Sequence, residues 1–250
     1  AEVYMTRSTA YYNQKDYAEA LSDLNKAIEL RPDYALAYAN RGFIHSQQGN
    51  YIQAITDFDQ AIKLQSDDSE QAIELEPIFG PIYLNRGFAH IKQGNYTQAI
   101  FDLNRAIELQ PNDADAYYNR GIAHREQGNY TQAISDFNRV IKLQPDDAGA
   151  YNGRGIAYAK QNNYQQAIAN YTQAIELETD YAGAYNNRGN VYIKQQNYTQ
   201  AIADYNQAIQ LQPNLAVAHY NKARAHSLQR DIKATLENLN QAITLDSAFR

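Results

Sequence analysis

Five histidines, His45, His90, His124, His219 and His226, are the first candidates for metal binding or proton transfer. A helical zinc site of the His-Glu-x-x-His kind needs two imidazoles one turn apart on one face. No two of these are four residues apart. His90 follows His45 by 45 residues, His124 follows His90 by 34, and His226 lies 102 further on, three times 34. Tyr11, Tyr158 and Tyr192 stand at the equivalent places, so this is expected to be an aromatic packing position, and His219 likewise replaces a tyrosine. There is no cysteine, hence no thiolate ligand and no disulfide. No glycine-rich phosphate loop follows a strand, and no serine sits in a nucleophile elbow. The carboxylates lack the paired cluster that would raise a pKa for acid–base work. The expectation is a chain that is not an enzyme, with no metal and no cofactor.

The spacing of 34 belongs to the whole chain. Tyr38-Ala39-Asn40-Arg41-Gly42 recurs as Tyr83-Leu84-Asn85-Arg86-Gly87, Tyr117-Tyr118-Asn119-Arg120-Gly121, Tyr151-Asn152-Gly153-Arg154-Gly155 and Tyr185-Asn186-Asn187-Arg188-Gly189. The frame gives seven repeats, 1–34, 35–68, 80–113, 114–147, 148–181, 182–215 and 216–249, with 69–79 as an insert, in a single array over 1–250. Each repeat reads as two amphipathic helices, A over positions 2–14 and B over 17–30, joined by a turn such as Gly94-Asn95-Tyr96. Asn50/Gln53, Asn95/Gln98 and Asn129/Gln132 have the layout of a capping box, and Pro32, Pro111, Pro145 and Pro213 end helix B. The Asn-Tyr-Thr triplets at 95, 129, 170 and 197 match a glycosylation acceptor, but caps and helix packing account for them. The insert, 69–79, is expected to lengthen the second repeat as helix, or to form a separate short helix capped by Asp68-Ser69. Gln71-Ala72-Ile73-Glu74-Leu75 echoes Gln60-Ala61-Ile62-Lys63-Leu64, and Pro77 supplies a stop.

An aromatic at position 4, small residues at 8, 20 and 27, Tyr at 11, Leu or an aromatic at 24 and Pro at 32 resemble the tetratricopeptide repeat (TPR) pattern, seven times over. The resemblance implies an all-α fold, an α-α superhelix of seven stacked hairpins whose A helices line a concave groove. The implied function is a scaffold that binds proteins or peptides. Two alternatives stay open: a substrate-recruiting arm of a larger enzyme, since the chain begins Ala1-Glu2-Val3 without an initiator Met, and a self-assembling module, since it stops at Phe249-Arg250 without a solvating helix.

Position 7, usually Leu in that pattern, is basic throughout: Arg7, Arg41, Arg86, Arg120, Arg154, Arg188 and Lys222. Position 23 is Asp23, Asp57, Asp102, Asp136 and Asp204, with Asn170 and Asn238 in the other two repeats. A hairpin turning near position 15 brings 7 level with 23. The expectation is therefore a structural Arg–Asp bridge, at Arg41–Asp57, Arg86–Asp102, Arg120–Asp136 and Arg188–Asp204.

For the groove, the resemblance implies that helix A positions 2, 5, 6, 9, 12 and 13 face inward. Position 6 forms an asparagine series, Asn40, Asn85, Asn119, Asn187 and Asn221, interrupted by Gly153. An amide both donates and accepts, so such a ladder can hold an extended backbone without a side-chain code. Around it stand Phe43, Leu84, Phe88, Tyr118, Ile122 and Arg125, more apolar toward the N-terminal half. No repeat has the Lys at position 5 that a dicarboxylate clamp for chaperone tails requires.

The charge is −6, with a pI near 5.4, which argues against a basic nucleic-acid surface. No apolar run approaches the roughly 18 residues of a membrane span, and no leader is expected. The partner expected is a protein or extended peptide, with no nucleic acid and no membrane insertion, or a second copy through the ends. A cytoplasmic location is favoured. Apolar content is 44% while mean hydropathy is −0.67, as expected of helices with amide-rich outer faces.

Overall fold

The computed structural model describes residues 1–66 and 72–246, with the side chains of 65, 66 and 72–78 left out of the description. Fourteen helices and no strand occur among them. They fall into two compact units, Ala1–Gln127 and Gly128–Arg250.

The first unit contains α1 (Glu2–Asn13), α2 (Tyr17–Leu30), α3 (Ala35–Gln47), α4 (Tyr51–Ser66), α5 (Ala72–Lys92), α6 (Tyr96–Leu109) and α7 (Ala114–Glu126). The second contains α8 (Tyr130–Leu143), α9 (Ala148–Lys160), α10 (Tyr164–Leu177), α11 (Ala182–Lys194), α12 (Tyr198–Leu211), α13 (Ala216–Leu228) and α14 (Ile232–Leu245). In both, successive helices pack as hairpins, and each hairpin packs on the next. The boundaries match helices A and B of the repeat to within a residue or two outside the insert.

Every B helix of the first six repeats buries a stripe at i, i+4 and i+7, the spacing that puts three side chains on one face. Ala20, Leu24 and Ala27 are fully enclosed in α2, as are Ala99, Leu103 and Ala106 in α6 and Ala201, Tyr205 and Ala208 in α12. The small residue opposite lets the large one in. A Cβ on Gly189 would stand 2.7 Å from the Tyr205 ring, and one on Gly155 would stand 2.8 Å from Tyr171. Gly153, the break in the asparagine series, has a similar cause: its Cβ would stand 2.7 Å from Phe137.

The turns are left-handed at position 15 in all seven repeats. Gly49, Gly94 and Gly128 take φ of 76–82°, and Lys15, Asn162, Gln196 and Arg230 take 60–64° without glycine's freedom. Two expectations about the ends of helices need correction. Asn95 is the N-cap of α6, but its side chain accepts no cap bond; its Nδ2 instead donates to Gln93 at 3.2 Å, and Asn50 does the same to Gln48. The cap bond does form at Asp16, from Glu19 N, at Asp231, from Ala234 N, and at Asn163, from Gln166 N. Pro77 does not stop a helix. Residues 72–79 are helical as expected; they belong to a helix distinct from α4, as the second alternative has it, but that helix is the long α5, and Pro77 and Pro81 both lie inside it. Each proline removes one i→i−4 bond. The packing compensates: Phe79 and Ile82 are buried against Ala54, Phe58 and Ala61 of α4. Residues 67–71 of the insert lie outside the described residues.

Candidate functional site

The ion pairs are bidentate. Arg41 donates to Asp57 from Nε (2.9 Å) and Nη2 (2.6 Å), Arg86 to Asp102 at 2.9 and 2.6 Å, and Arg188 to Asp204 at 2.9 and 2.8 Å. Arg7 holds Asp23 in the same way at 2.7 and 2.6 Å. Of the fourth expected pair, Arg120 belongs to the first unit and Asp136 to the second. Where Asn170 replaces Asp, Arg154 keeps one bond, from Nε at 2.7 Å. Burial sets the electrostatics. In the first hairpin the Arg7 guanidinium holds the Asp23 carboxyl below its usual range. In the third, burial pushes the Asp102 carboxyl up against the pull of Arg86.

Sequence reasoning missed a second partner. The remaining Nη1 of each internal arginine reaches back to position 25 of the preceding repeat: Arg41 to Asn25 (2.7 Å), Arg120 to Asn104 (2.7 Å), Arg154 to Asn138 (2.6 Å), Arg188 to Thr172 (2.9 Å) and Arg86 to Asp59 (2.5 Å). One planar guanidinium thus joins three helices from two repeats.

The histidines pack inside the hairpins. His45 and His90 are half-buried, with Nε2 at 4.0 and 3.8 Å from Asp57 and Asp102 and with Nδ1 enclosed without a hydrogen-bond partner. Burial holds both imidazoles below their usual pKa. His219 is buried, its Nε2 3.1 Å from the Pro213 carbonyl.

The asparagine series behaves differently in the two units. Asn187 donates to Asn152 Oδ1 at 3.1 Å and Asn221 to Asn186 Oδ1 at 3.0 Å, so in the second unit these amides join neighbouring A helices. In the first unit Asn85 and Asn119 donate to the carbonyls of Pro81 (2.7 Å) and Asp115 (2.8 Å), one turn back in their own helices. That leaves Oδ1 and one N–H of each open. Among the described residues Asn40 has no side-chain hydrogen-bond partner, and it lines two cavities.

The first cavity, about 220 Å³, lies between Ser8, Thr9, Tyr12, Leu24, Asn40, Phe43 and Ile44. The second, about 450 Å³, is lined by Leu36, Ala39, Asn40, Phe43, Phe58, Pro81, Ile82 and Asn85. Asn40 and Asn85 therefore face one space despite the eleven inserted residues. Phe43 stacks obliquely on Tyr12 at 5.7 Å. Phe88 meets the edge of Tyr51 at 6.3 Å and carries the Lys92 ammonium 5.0 Å above its ring. Leu84 packs beside the buried cluster of Ala99, Leu103 and Ala123; Tyr118 and Ile122 are half-buried, and Arg125 is paired with the adjacent Glu126 at 2.7 Å.

Profiles described as tetratricopeptide repeat match residues 35–68, 84–148, 137–169 and 182–215, and one described as TPR repeat matches 9–49 and 157–196. The chain belongs to the tetratricopeptide repeat family. The heat shock protein sti1 homolog of Schizosaccharomyces pombe is 45% identical to this TPR chain over 40 residues, which are 16% of the chain and 7% of that protein's length. A tetratricopeptide repeat protein from Parabacteroides merdae ATCC 43184 superposes with a TM-score of 0.78 at 18% identity, over 99% of this chain and 95% of that one. YrrB, a TPR protein with an unusual peptide-binding site, superposes with a TM-score of 0.59 at 22% identity, over 78% and 95%. At these identities the likeness is one of fold. Among the described residues no helix is long and apolar enough to cross a membrane.

Proposed function

We propose that this TPR chain is a protein-interaction scaffold and that its first unit takes an extended peptide along the groove beside Asn40, Phe43 and Asn85. The observation that carries the reading is the pair of cavities sharing Asn40 and Phe43, apolar in their walls and edged by amides with unused hydrogen-bonding capacity. Apolar walls with a few placed polar groups are the usual make-up of a binding pocket. An apolar ligand side chain fills the space between Phe43, Phe58 and Ile82, and Asn40 and Asn85 hold the backbone on either side. Phe88, Tyr118, Asn119, Ile122 and Arg125 extend the surface within the same unit. Asn187 and Asn221, committed to Asn152 and Asn186, contribute by spacing helices. YrrB is described as carrying a peptide-binding site on this fold, which supports a peptide as the ligand here. The reading is of a binding module without catalysis.

The test is selection of linear peptides from a display library on the immobilised chain, followed by titration against wild type and an Asn40→Ala/Asn85→Ala variant. Two lost amide contacts of about 1 kcal/mol each predict affinity lower by roughly 30-fold, with melting unchanged. Equal affinity would assign both amides to the scaffold and leave the groove reading without its polar half.

A further inference from the structure

The two cavities of the first unit are spaced so as to select the conformation of what fills them. One lies between α1 and α3 and the other between α3 and α5, and Asn40 and Phe43 of α3 line both. Their separation is therefore one helix-to-helix step, about 8–10 Å. A ligand that fills both must present two side chains to one face at that interval. The polar groups repeat the step, since Asn40 on α3 and Asn85 on α5 line the second cavity together.

Chain geometry then discriminates between ligands. A β-strand sends alternate side chains to one face, about 6.6 or 13 Å apart, and both values miss the interval. A polyproline II (PPII) helix has about three residues per turn and rises about 3.1 Å per residue, so residues i and i+3 share a face about 9.3 Å apart. An α-helix comes near with residues i and i+7, about 10.5 Å apart, but its backbone N–H and C=O groups are spent on one another. It would leave the Asn40 amide, and the Oδ1 and second N–H of Asn85 that the Pro81 bond does not use, with no backbone to hold. PPII makes no internal hydrogen bonds, so its whole backbone is available to those amides. The rings fit the same ligand. Tyr12 and Phe43 meet obliquely at 5.7 Å on the first cavity, and Phe43 and Phe58 line the second. Aromatic-lined grooves are a recurrent receptor for PPII segments.

We propose that the groove of the first unit binds a proline-rich linear segment in the PPII conformation, with apolar side chains three residues apart entering the two cavities. This rests on the groove reading above and adds to it the period and the conformation of the ligand. The intervening residues face away from the cavities. Prolines there fix the chain before binding, including the residue that precedes each of them, and so reduce the entropy lost on docking. Each apolar residue keeps its own N–H to donate to an asparagine Oδ1, while the proline carbonyls accept from Nδ2.

Fluorescence anisotropy of labelled synthetic peptides on the 250-residue chain tests it. The probes are a Leu-Pro-Pro repeat, a Leu-Ser-Ser repeat of the same period, a Leu-Ser alternation, and a Leu/Ala/Lys helix with leucines at i and i+7. The Leu-Pro-Pro peptide is expected to bind about 10-fold tighter than Leu-Ser-Ser, through its restricted free state. The alternating and helical peptides should be weaker than Leu-Pro-Pro. Phe43→Ala should lower the affinity for Leu-Pro-Pro by about 10-fold. Asn40→Ala should lower it as well, and the comparison among peptides on wild type needs no variant at all. A Leu-Pro-Pro peptide that does not bind, binds no tighter than Leu-Ser-Ser, or binds equally to wild type and both folded variants overturns the proposal. If the alternating or helical peptide binds best and Phe43→Ala weakens it, the groove reading stands and only the three-residue ligand falls. If no peptide, library-selected ones included, responds to either substitution, both fall.

Discussion

Arg41 Nη1 donates to Asn25 Oδ1 at 2.7 Å, across the junction between two repeats, while the rest of the same guanidinium is clamped on Asp57. The position-23 side chain anchors the guanidinium while its Nη1 reaches the neighbouring repeat, and Asn170 serves Arg154 in the same way with one bond. Replacing the position-23 residue tests intra-repeat and inter-repeat cohesion together.

Asp102→Ala takes the buried, bidentate carboxylate from Arg86 and leaves only the exposed Asp59 at Nη1, a loss on the order of 3 kcal/mol. Asp102→Asn should cost much less, about 1 kcal/mol, because Asn170 already holds Arg154 through a single bond. Urea unfolding followed by circular dichroism separates the two. An alanine variant as stable as the asparagine variant would show that the bridge is decorative.

Alanine normally favours a helix over glycine by about 1 kcal/mol. At Gly189 the order should reverse, because the new methyl would stand 2.7 Å from the Tyr205 ring, which Asn190 also holds through a 2.9 Å bond. Overpacking of this kind costs about 1–3 kcal/mol. The last repeat supplies the natural control: position 8 is Ala223, buried in a hairpin with Leu at position 24. A lower melting temperature for Gly189→Ala checks the argument, and a higher one would refute it.

Gln196 sits at φ 62°, where its side chain pays a steric penalty that glycine does not. Gln196→Gly should raise stability by about 0.5–1 kcal/mol, the turn strain relieved exceeding the extra chain entropy glycine brings to the unfolded state. Thermal melting reads the sign directly.

His45 and His90 contribute a pH dependence whose direction follows from their depressed pKa values. The unfolded imidazole titrates near 6.5 and the folded one lower, so the unfolded state binds protons first as pH falls. The stability these residues contribute is complete above about pH 6.5 and is lost as pH falls through the folded pKa. A His45→Tyr/His90→Tyr variant, with the residue that Tyr11, Tyr158 and Tyr192 supply elsewhere, should show a flatter melting profile between pH 7 and 5. An unchanged slope would place the acid sensitivity in other groups.

The helices, their order and the Arg–Asp bridges were legible because each is a periodic choice of residue type at a fixed position. The position-25 partner was not, because Asn25, Asp59, Asn104, Asn138 and Thr172 share only a side-chain oxygen and look unrelated as residue types. Pro77 misled for a different reason. Proline's local preference is to end a helix, and here the burial of Phe79 and Ile82 outweighs two missing backbone bonds. The groove was legible as composition, Asn beside Phe. Which amides are open and which are spent on a neighbour depends on whether position 5 of the preceding repeat is itself an amide: Asn152 and Asn186 are, Leu84 is not.

The backward reach of each arginine also bears on how such a chain can change in length over generations. Five junctions present the same request, an arginine donating to an oxygen at position 25 of the repeat before. Deletion or duplication of any whole 34-residue unit therefore brings together two halves that already fit, and leaves no stranded charge at the seam. A cut out of phase with the 34-residue period has no such protection. In this architecture the number of units is nearly neutral to the fold while their reading frame is not, so copy number can drift and be selected for reach alone.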